Sequence, residues 1–193
     1  MIGVALCGGQ STRMGTDKGL LMQNDLTWVE TAVSKLSSLQ IQVVVSVNKK
    51  QADIYSTKIS VNRLIIDDDN ILVKGPLLGI LSIHQEYPDE DLIVLACDMI
   101  DMSTTLLRDL LQLYKESTHQ AYVYVINEKV EPLCAIYTSK GLKHILDLHH
   151  QKGLERFSMM HVLECIVTNY IHVPDAAVNF FANYNSNEDL SIK

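Results

Sequence analysis

The sequence lacks the features that mark metal ribbons and disulfide scaffolds. Its 193 residues include only four cysteines, at positions 7, 97, 134 and 165. No two of them are separated by the two residues typical of zinc ribbons and thioredoxin-like motifs, so neither kind of site is predicted. Cysteines this scattered in a chain of this size indicate free thiols, as found in the reduced cytosol.

Long apolar runs and a basic charge are also missing. No stretch approaches the roughly 20 apolar residues of a membrane helix, and the N-terminus lacks the basic segment and apolar core of a secretory signal. The net charge of −7 argues against a nucleic-acid-binding protein, which would present a basic surface. We therefore expect a cytoplasmic protein that binds neither membranes nor nucleic acid. A small anionic substrate stays open, because a few local cations and a metal can hold a phosphate.

The remaining composition is that of an ordinary globular protein, 47% hydrophobic and 20% charged. The length fits one domain that spans residues 1–193. Continuously apolar runs at 2–7, 41–48, 63–69 and 91–98 predict strands buried on both faces. Apolar residues at helical spacing predict helices between and after them, at 28–39, 77–84, 103–114 and 139–150.

This alternation predicts an α/β fold. Strands that alternate with helices form an open, mostly parallel sheet with helices on both faces, in three layers. Later strands, predicted at 121–126, 132–137 and 165–173, do not alternate strictly with helices, so the sheet is expected to be mixed.

Polar residues gather directly after the predicted strands. In open α/β sheets, ligands bind outside the carboxyl ends of the strands. The first four strands are followed by glycines, two cations and several polar or acidic residues, namely Gly8, Gly9, Arg13, Lys18, Asn48, Asp67, Asp68, Asp69 and Asp98. The sequence therefore predicts a ligand site at this edge.

The glycine pair alone supports two interpretations. Gly8 and Gly9 would let backbone N–H groups approach a phosphate, or they would only form a tight turn. The segment is neither a P-loop, since no Gly-Lys-Ser/Thr closes it, nor a GxGxxG dinucleotide fingerprint. Arg13 and Lys18 favour phosphate binding, because two cations in this loop can neutralise a triphosphate. The alternative is that both are solvated surface residues.

Asp98 is the clearest single candidate. It follows the apolar run IVLAC, where a carboxylate needs a partner or a metal. One carboxylate plus substrate phosphates is a common way to hold Mg²⁺; the alternative is a turn-capping aspartate. Of the three acidic residues 67–69, one would fix a ribose or base and the others would be solvated. The residues thus predict a magnesium-dependent nucleotide site in which hydrolysis, phosphoryl transfer and nucleotidyl transfer all stay open.

The stretch LCGGQSTRMGTDKGLL resembles the LAGGxSxRMGxDKxLL signature of nucleotidyltransferases that act on sugar-1-phosphates and cofactor precursors. Within that superfamily the chain is similar to the molybdenum cofactor guanylyltransferases of the MobA type. The supporting segments occur in the family's order: SVNKKQ, IIDDDNILVKGPLLGI, VLACDM, EPLCAIY and FANYNSNEDL. The resemblance spans nearly the whole chain and implies the nucleotide-diphospho-sugar transferase fold, which is Rossmann-like.

The resemblance also implies an activity and its substrates. The enzyme would transfer GMP from GTP to molybdopterin that carries molybdenum, with Mg²⁺ as cofactor and pyrophosphate as product. Its protein partners would be molybdoenzymes or other proteins of cofactor biosynthesis.

The family's functional positions can be carried over to this sequence. The backbone at Leu6, Cys7, Gly8 and Gly9 would hold the nucleotide, and Lys18 would contact the GTP phosphates with Arg13 nearby. Asn48 and Asp68 would contact the nucleotide, Asp98 would bind Mg²⁺ and substrate, and Asn183 and Asn185 would lie on the pterin side. By this transfer, the residues with catalytic roles are Arg13, Lys18 and Asp98.

Two positions depart from the family pattern. Cys7 stands where alanine is usual, which a backbone contact would tolerate. Ile100 stands where proline is common, two residues after Asp98, so the role of the neighbouring Asp101 is less predictable.

Three alternatives stay open at this point. The first is cytidylyl transfer to the same acceptor, and the second is nucleotidyl transfer to a sugar phosphate. The third is a non-catalytic GTP-binding chaperone for molybdoenzymes, which would keep the fold without needing Asp98.

Overall fold

Strands and helices alternate through the part of the chain that the computed structural model describes, residues 1–7, 17–58 and 64–184. The strands are β1 (Ile2–Leu6), β2 (Met22–Gln23), β3 (Leu26–Thr27), β4 (Gln42–Val47), β5 (Leu64–Ile66), β6 (Leu92–Ala96), β7 (Ala121–Ile126), β8 (Lys129–Tyr137) and β9 (Thr168–His172). The α-helices are α1 (Trp28–Ser37), α2 (Lys49–Lys58), α3 (Pro76–Glu86), α4 (Thr104–Glu116), α5 (Ser139–His150) and α6 (Met159–Cys165). Short 3₁₀ helices lie at Lys18–Leu20 and Asp175–Phe181.

The main sheet has the order β5-β4-β1-β6-β8-β7-β9 within the described residues. Neighbouring strands are parallel except at β8, which runs antiparallel to both β6 and β7. The strands β2 and β3 form a separate small hairpin. The predicted mostly parallel, mixed sheet is confirmed, and it aligns the carboxyl ends of β1, β4, β5 and β6 along one edge.

Two apolar cores cover the two faces of this sheet. One core joins alternate residues of β1 and β4 to α1, α2 and α4; the other joins the remaining residues of those strands to α3, α5 and α6. Consecutive residues at the end of β1 therefore face opposite cores: Leu6 contacts the second core and Cys7 the first. This arrangement confirms the prediction of three layers.

Local sequence signals explain where several helices begin. Thr27 and Glu30 form a capping box at the start of α1, in which each side chain accepts a hydrogen bond from the other residue's backbone N–H. Gly75 adopts a left-handed backbone with φ 69° directly before Pro76, the first residue of α3. Ser103 caps α4 by accepting a hydrogen bond from the backbone of Thr105 at 3.1 Å.

The structure corrects the bounds of two predicted strands. The predicted strand at 165–173 begins only at Thr168, because Cys165 ends helix α6, which Ser158 caps and whose apolar residues pack on the core. The predicted strand at 63–69 is limited to Leu64–Ile66 within the described residues, and Asp67–Asp69 follow it as a loop. Helix α2 and the β2–β3 hairpin were not predicted. None of the helices in the described ranges has the length and apolarity needed to cross a bilayer.

Candidate active site

The carboxyl ends of β1, β4, β5 and β6, where the sequence predicts a ligand site, lie side by side. Cys7 donates its backbone N–H to Ser46 at 3.1 Å, and Cys97 donates to Leu6 at 3.2 Å. The backbone of Asp67 likewise bonds that of Val47 at 2.9 Å. Because adjacent strand ends are tied to one another in this way, the loops that follow them share one small region.

Lys18 and Asp98, which are 80 positions apart, meet at this edge. The Lys18 Nζ lies 3.6 Å from Asp98 Oδ2, and both side chains are about three-quarters buried, with 22% and 25% of their surface exposed. Burial raises the pKa of Asp98, while the Lys18 ammonium acts in the opposite direction. A cation placed beside a carboxylate that has been removed from water stabilises the charged form of that carboxylate.

Asn48 caps helix α2. Its Oδ1 accepts hydrogen bonds from the backbone N–H groups of Lys50, at 2.9 Å, and Gln51, at 3.2 Å. Gln51 returns the interaction, because its Oε1 accepts from the Asn48 N–H at 2.9 Å. Hydrogen bonds to the helix therefore hold the Oδ1 atom of Asn48, the residue predicted to contact the nucleotide.

The three acidic residues after β5 occupy different environments. Asp68 Oδ1 accepts from the backbone and side chain of Asn70 at 3.0 and 2.7 Å, which closes a local turn. Asp69 pairs with Lys49 at the surface. Asp67 lies deeper, with Ser46 Oγ 3.4 Å from its Oδ1, and burial raises its pKa from 3.8 to about 6.

The C-terminal segment packs against the Asp98 loop. Tyr184 donates its backbone N–H to Asp98 O at 3.3 Å and its phenol to Asp101. Asn183 donates its side-chain amide to Glu131 Oε2 at 3.1 Å, and burial raises the pKa of Glu131, with Asp98 as a further cause. Asn183 therefore lies near the Asp98 loop, although the two residues are more than 80 positions apart in the sequence.

A cleft of about 670 Å³ opens on the β7–β8 side, and Tyr184, which bonds the backbone of Asp98, lies in its lining. Its lining combines charged, amide and apolar groups, among them Asp101, Lys129, Glu131, Asn179, Phe181 and Asn183. This volume suits a small molecule. Glu131 and Tyr184 were missed as site residues by sequence reasoning, although Glu131 opens the quoted EPLCAIY segment and Tyr184 lies between the two predicted asparagines.

The two departures from the family pattern are both buried. Burial, and next the neighbouring Cys97, raise the pKa of Cys7 well above its usual value, so its thiol stays protonated. Ile100 packs in a small cluster with Trp28 and Tyr184. Both side chains therefore pack among apolar residues. Four predicted site residues, Gly8, Gly9, Arg13 and Asn185, lie outside the described residues.

Asp98 fits a magnesium ligand of the kind predicted. Among residues 1–7, 17–58 and 64–184, no three His, Cys, Asp or Glu side chains come together as a metal cluster. A partly buried single carboxylate beside a lysine suits an ion that takes its other ligands from phosphates and water.

A comparison with protein families shows to which family of proteins the chain belongs. A family model described as the MobA-like NTP transferase domain matches residues 3–165. The chain belongs to this family. Its signature region, the loops after β1, β4, β5 and β6, and the EPLCAIY segment all fall within the matched residues, so the resemblance found in the sequence is confirmed.

Individual relatives agree with the family match. The chain is 30% identical over 190 residues to a probable molybdenum cofactor guanylyltransferase of Bacillus mycoides, covering 97% of this chain and 92% of the relative. It is 27% identical to a protein of the same description from Flavobacterium johnsoniae, with 96% and 92% covered. The crystal structure of molybdopterin-guanine dinucleotide biosynthesis protein A from Archaeoglobus fulgidus superposes with a TM-score of 0.80 at 22% identity, covering 99% and 95% of the two chains, which confirms the fold.

Proposed function

We propose that the protein transfers GMP from GTP to molybdenum-loaded molybdopterin, which forms the guanine dinucleotide cofactor and releases pyrophosphate. The observation that carries this proposal is the Lys18–Asp98 pair at the shared strand edge. It brings a cation suited to phosphate binding and a carboxylate suited to metal binding to one point in a chain of the MobA-like family. The names of the relatives support the choice of guanine and molybdopterin.

The nucleotide would lie on the β1–β4–β5 side of this pair. The backbone at Leu6, Cys7, Gly8 and Gly9 would approach the nucleotide, and Asn48 and Asp68 would contact it from the neighbouring loops. Leu6, Cys7 and Asn48 lie next to one another at the strand ends. Asp67 is a further candidate, because its partly buried carboxyl group lies near Leu6 and Gly79.

Asp98 would hold the magnesium ion. When bound, Mg²⁺ supplies charge neutralisation and orientation for the phosphate oxygens. Burial disfavours an unpaired charge on Asp98. Because folding has already removed part of the water around this carboxylate, a bound cation would stabilise its charge without that further cost of desolvation.

The chain's own cations would do the remaining electrostatic work. The terminal phosphate of molybdopterin attacks the α-phosphorus of GTP, and the bond to the pyrophosphate oxygen breaks in line with it. Lys18 and Arg13 would offset the charge that grows on the leaving pyrophosphate. The phosphate nucleophile is already ionised near neutral pH, so no general base is required and positioning supplies much of the rate.

The acceptor would occupy the cleft on the β7–β8 side. Asn183, with Asn185 following it, would face the pterin, and Lys129 adds a cation to the cleft wall. Glu131 holds the Asn183 amide. In the sheet, β6, which precedes Asp98, lies between β1, β4 and β5 on one side and β8 and β7 on the other, so the two substrates would meet near Asp98.

The proposal is tested by incubating purified protein with Mg²⁺, molybdenum-loaded molybdopterin and either GTP or CTP. We expect the guanine dinucleotide cofactor and pyrophosphate to form with GTP, and to be lost in the Asp98→Asn variant. Product formed preferentially from CTP would contradict the choice of guanine. Binding of GTP without any product would favour the non-catalytic chaperone.

A further inference from the structure

Gln51 is a buried polar residue that the proposed reaction does not use. It is 7% exposed and lies one turn into α2. Its Nε2 donates to Cys7 O at 3.0 Å and also to Asp17 Oδ2. Its Oε1 accepts from Asn48 N at 2.9 Å. One side chain thus bonds the end of β1, the residue before Lys18 and the end of β4.

Tyr55 reaches the same aspartate from the next turn of α2. Its ring is fully buried, and its hydroxyl donates to Asp17 Oδ1 at 2.8 Å. Burial raises the pKa of the phenol well above its usual range, so the hydroxyl keeps its proton and acts as a donor. Asp17 therefore has one carboxylate oxygen toward Gln51 and the other toward Tyr55.

Asp17 in turn holds the backbone of the turn that contains Lys18. The same Oδ1 accepts the backbone N–H of Gly19 at 3.0 Å, which caps the 3₁₀ helix whose first residue is Lys18. The turn rests directly on Tyr55, because a Cβ built on Gly19 would overlap the Tyr55 hydroxyl and lie 3.2 Å from its Cζ. A glycine is needed here for space.

We propose that Gln51 and Tyr55 are positioning residues that fix the Lys18 turn through Asp17 and thereby set the affinity for the nucleotide triphosphate. This inference rests on the proposed function for its ligand, whereas the contacts that carry it are those of the ligand-free protein. Lys18 is a long, flexible side chain, and holding its backbone reduces the entropy lost when Nζ contacts phosphate. The network is buried, so it acts without touching substrate itself.

The first test is the Tyr55→Phe variant, which removes one hydroxyl and keeps the ring. The matched control is Tyr122→Phe, because Tyr122 is equally buried and its hydroxyl accepts from His119 N at 2.9 Å, near the start of β7 and away from the strand ends that form the site. In the ligand-free protein, we expect Tyr55→Phe to speed amide hydrogen exchange at Gly19, Leu20 and Leu21 by about tenfold. The control should leave exchange at these amides unchanged.

The second readout is steady-state kinetics with GTP. Because Lys18 faces the triphosphate before the reaction begins, we expect Tyr55→Phe to raise KM for GTP about 5- to 10-fold. The fall in kcat should be smaller, and Tyr122→Phe should leave both constants near wild type. Equal effects of the two variants on exchange, or on KM, would overturn the proposal. If the wild-type protein does not turn over GTP, the proposed function fails, and the exchange experiment alone still decides whether the network holds the turn.

A suppressor experiment separates positioning from general destabilisation. Gly19→Ala should disrupt the turn by overlap with the Tyr55 hydroxyl, and Tyr55→Phe removes that atom. We expect the double variant Gly19→Ala/Tyr55→Phe to recover a KM for GTP lower than that of Gly19→Ala alone. A double variant worse than both single variants would contradict a direct contact between the turn and the hydroxyl.

Discussion

At the residue scale, the proposed site depends on carboxylates that are partly buried in the folded protein. Asp98 follows β6 and Asp67 follows β5, two strands of the parallel part of the sheet, and burial raises the pKa of both. Such groups reduce the stability of the folded state in their charged form, a cost that proteins tolerate at functional sites. Their substitution by the isosteric amide should therefore separate activity from stability.

For Asp98→Asn, we expect guanylyl transfer to fall by at least about 100-fold, because the metal-binding charge is lost. The unfolding midpoint should stay at or above that of wild type, since the substitution removes the cost of the buried charge. Activity assays and thermal unfolding on one preparation check both halves. A variant that unfolds at much lower temperature would show a structural role instead.

Asp67 gives a pH-dependent prediction. Its folded pKa of about 6 lies above the ordinary value of 3.8, so the folded state binds the proton more tightly than the unfolded state. This contribution to stability is present at low pH and is lost as pH rises from about 4 to about 6. Asp67→Asn should thus become more stable relative to wild type across this range, measured as the difference in unfolding midpoint. A difference in unfolding midpoint that stays constant across this pH range would contradict the prediction.

The arrangement of these residues was predictable from the sequence to different degrees. Lys18 and Asp98 stand out because a cation or carboxylate after an apolar strand has few structural explanations, and the structure places their charged atoms 3.6 Å apart. The side chains of Asn48 and Asp68 make local backbone contacts, which were not predicted. Glu131 and Tyr184 were missed, since their position in the site depends on how β8 and the C-terminal segment pack.

At the element scale, the predicted strands were those with continuous apolar runs, and helix α2, which was not predicted, has little amphipathic character. Helix α2 carries mostly polar residues, so periodicity gave no signal. Its capping box, Asn48-Lys49-Lys50-Gln51, was the available signature. The β2–β3 hairpin was missed because each strand has only two residues.

The cap at Asn48 supplies a prediction about this helix. Asn48→Ala should lower the free energy of unfolding by about 1 kcal/mol, because the backbone N–H of Lys50 loses its acceptor and that of Gln51 keeps only the Asn48 carbonyl. Asn48→Asp keeps the capping oxygen and removes only the side-chain amide donor, so its stability should stay near wild type. If that amide contacts the nucleotide, Asn48→Asp should still weaken GTP binding. Chemical denaturation and calorimetric titration with GTP separate these two roles.

At the scale of the whole molecule, an acidic protein must bind two polyanions. The net charge of −7 repels GTP and molybdopterin alike, so binding depends on cations placed locally at the strand edge. Lys18 supplies one, Arg13 is predicted to supply another, and the metal at Asp98 would supply the largest. The overall fold matters here because a parallel sheet brings loops that are distant in sequence to one edge.

Metal removal tests this arrangement. Treatment with a chelator should reduce nucleotidyl transfer to background and weaken GTP binding, and added Mg²⁺ should restore both. The unfolding midpoint of the ligand-free protein should change little, because no cluster of three metal-ligating side chains is present in the described part of the chain. A large loss of stability on chelation would indicate a structural metal instead.

The most direct measurement is the transfer reaction itself, followed with GTP labelled at the α-phosphate and molybdenum-loaded molybdopterin. The account predicts that the label appears in the guanine dinucleotide cofactor, with one pyrophosphate released per transfer, and that Asp98→Asn abolishes this product. Label that stays in GTP, or a product that forms equally well with Asp98→Asn, would contradict the assignment of the Lys18–Asp98 edge as the catalytic site.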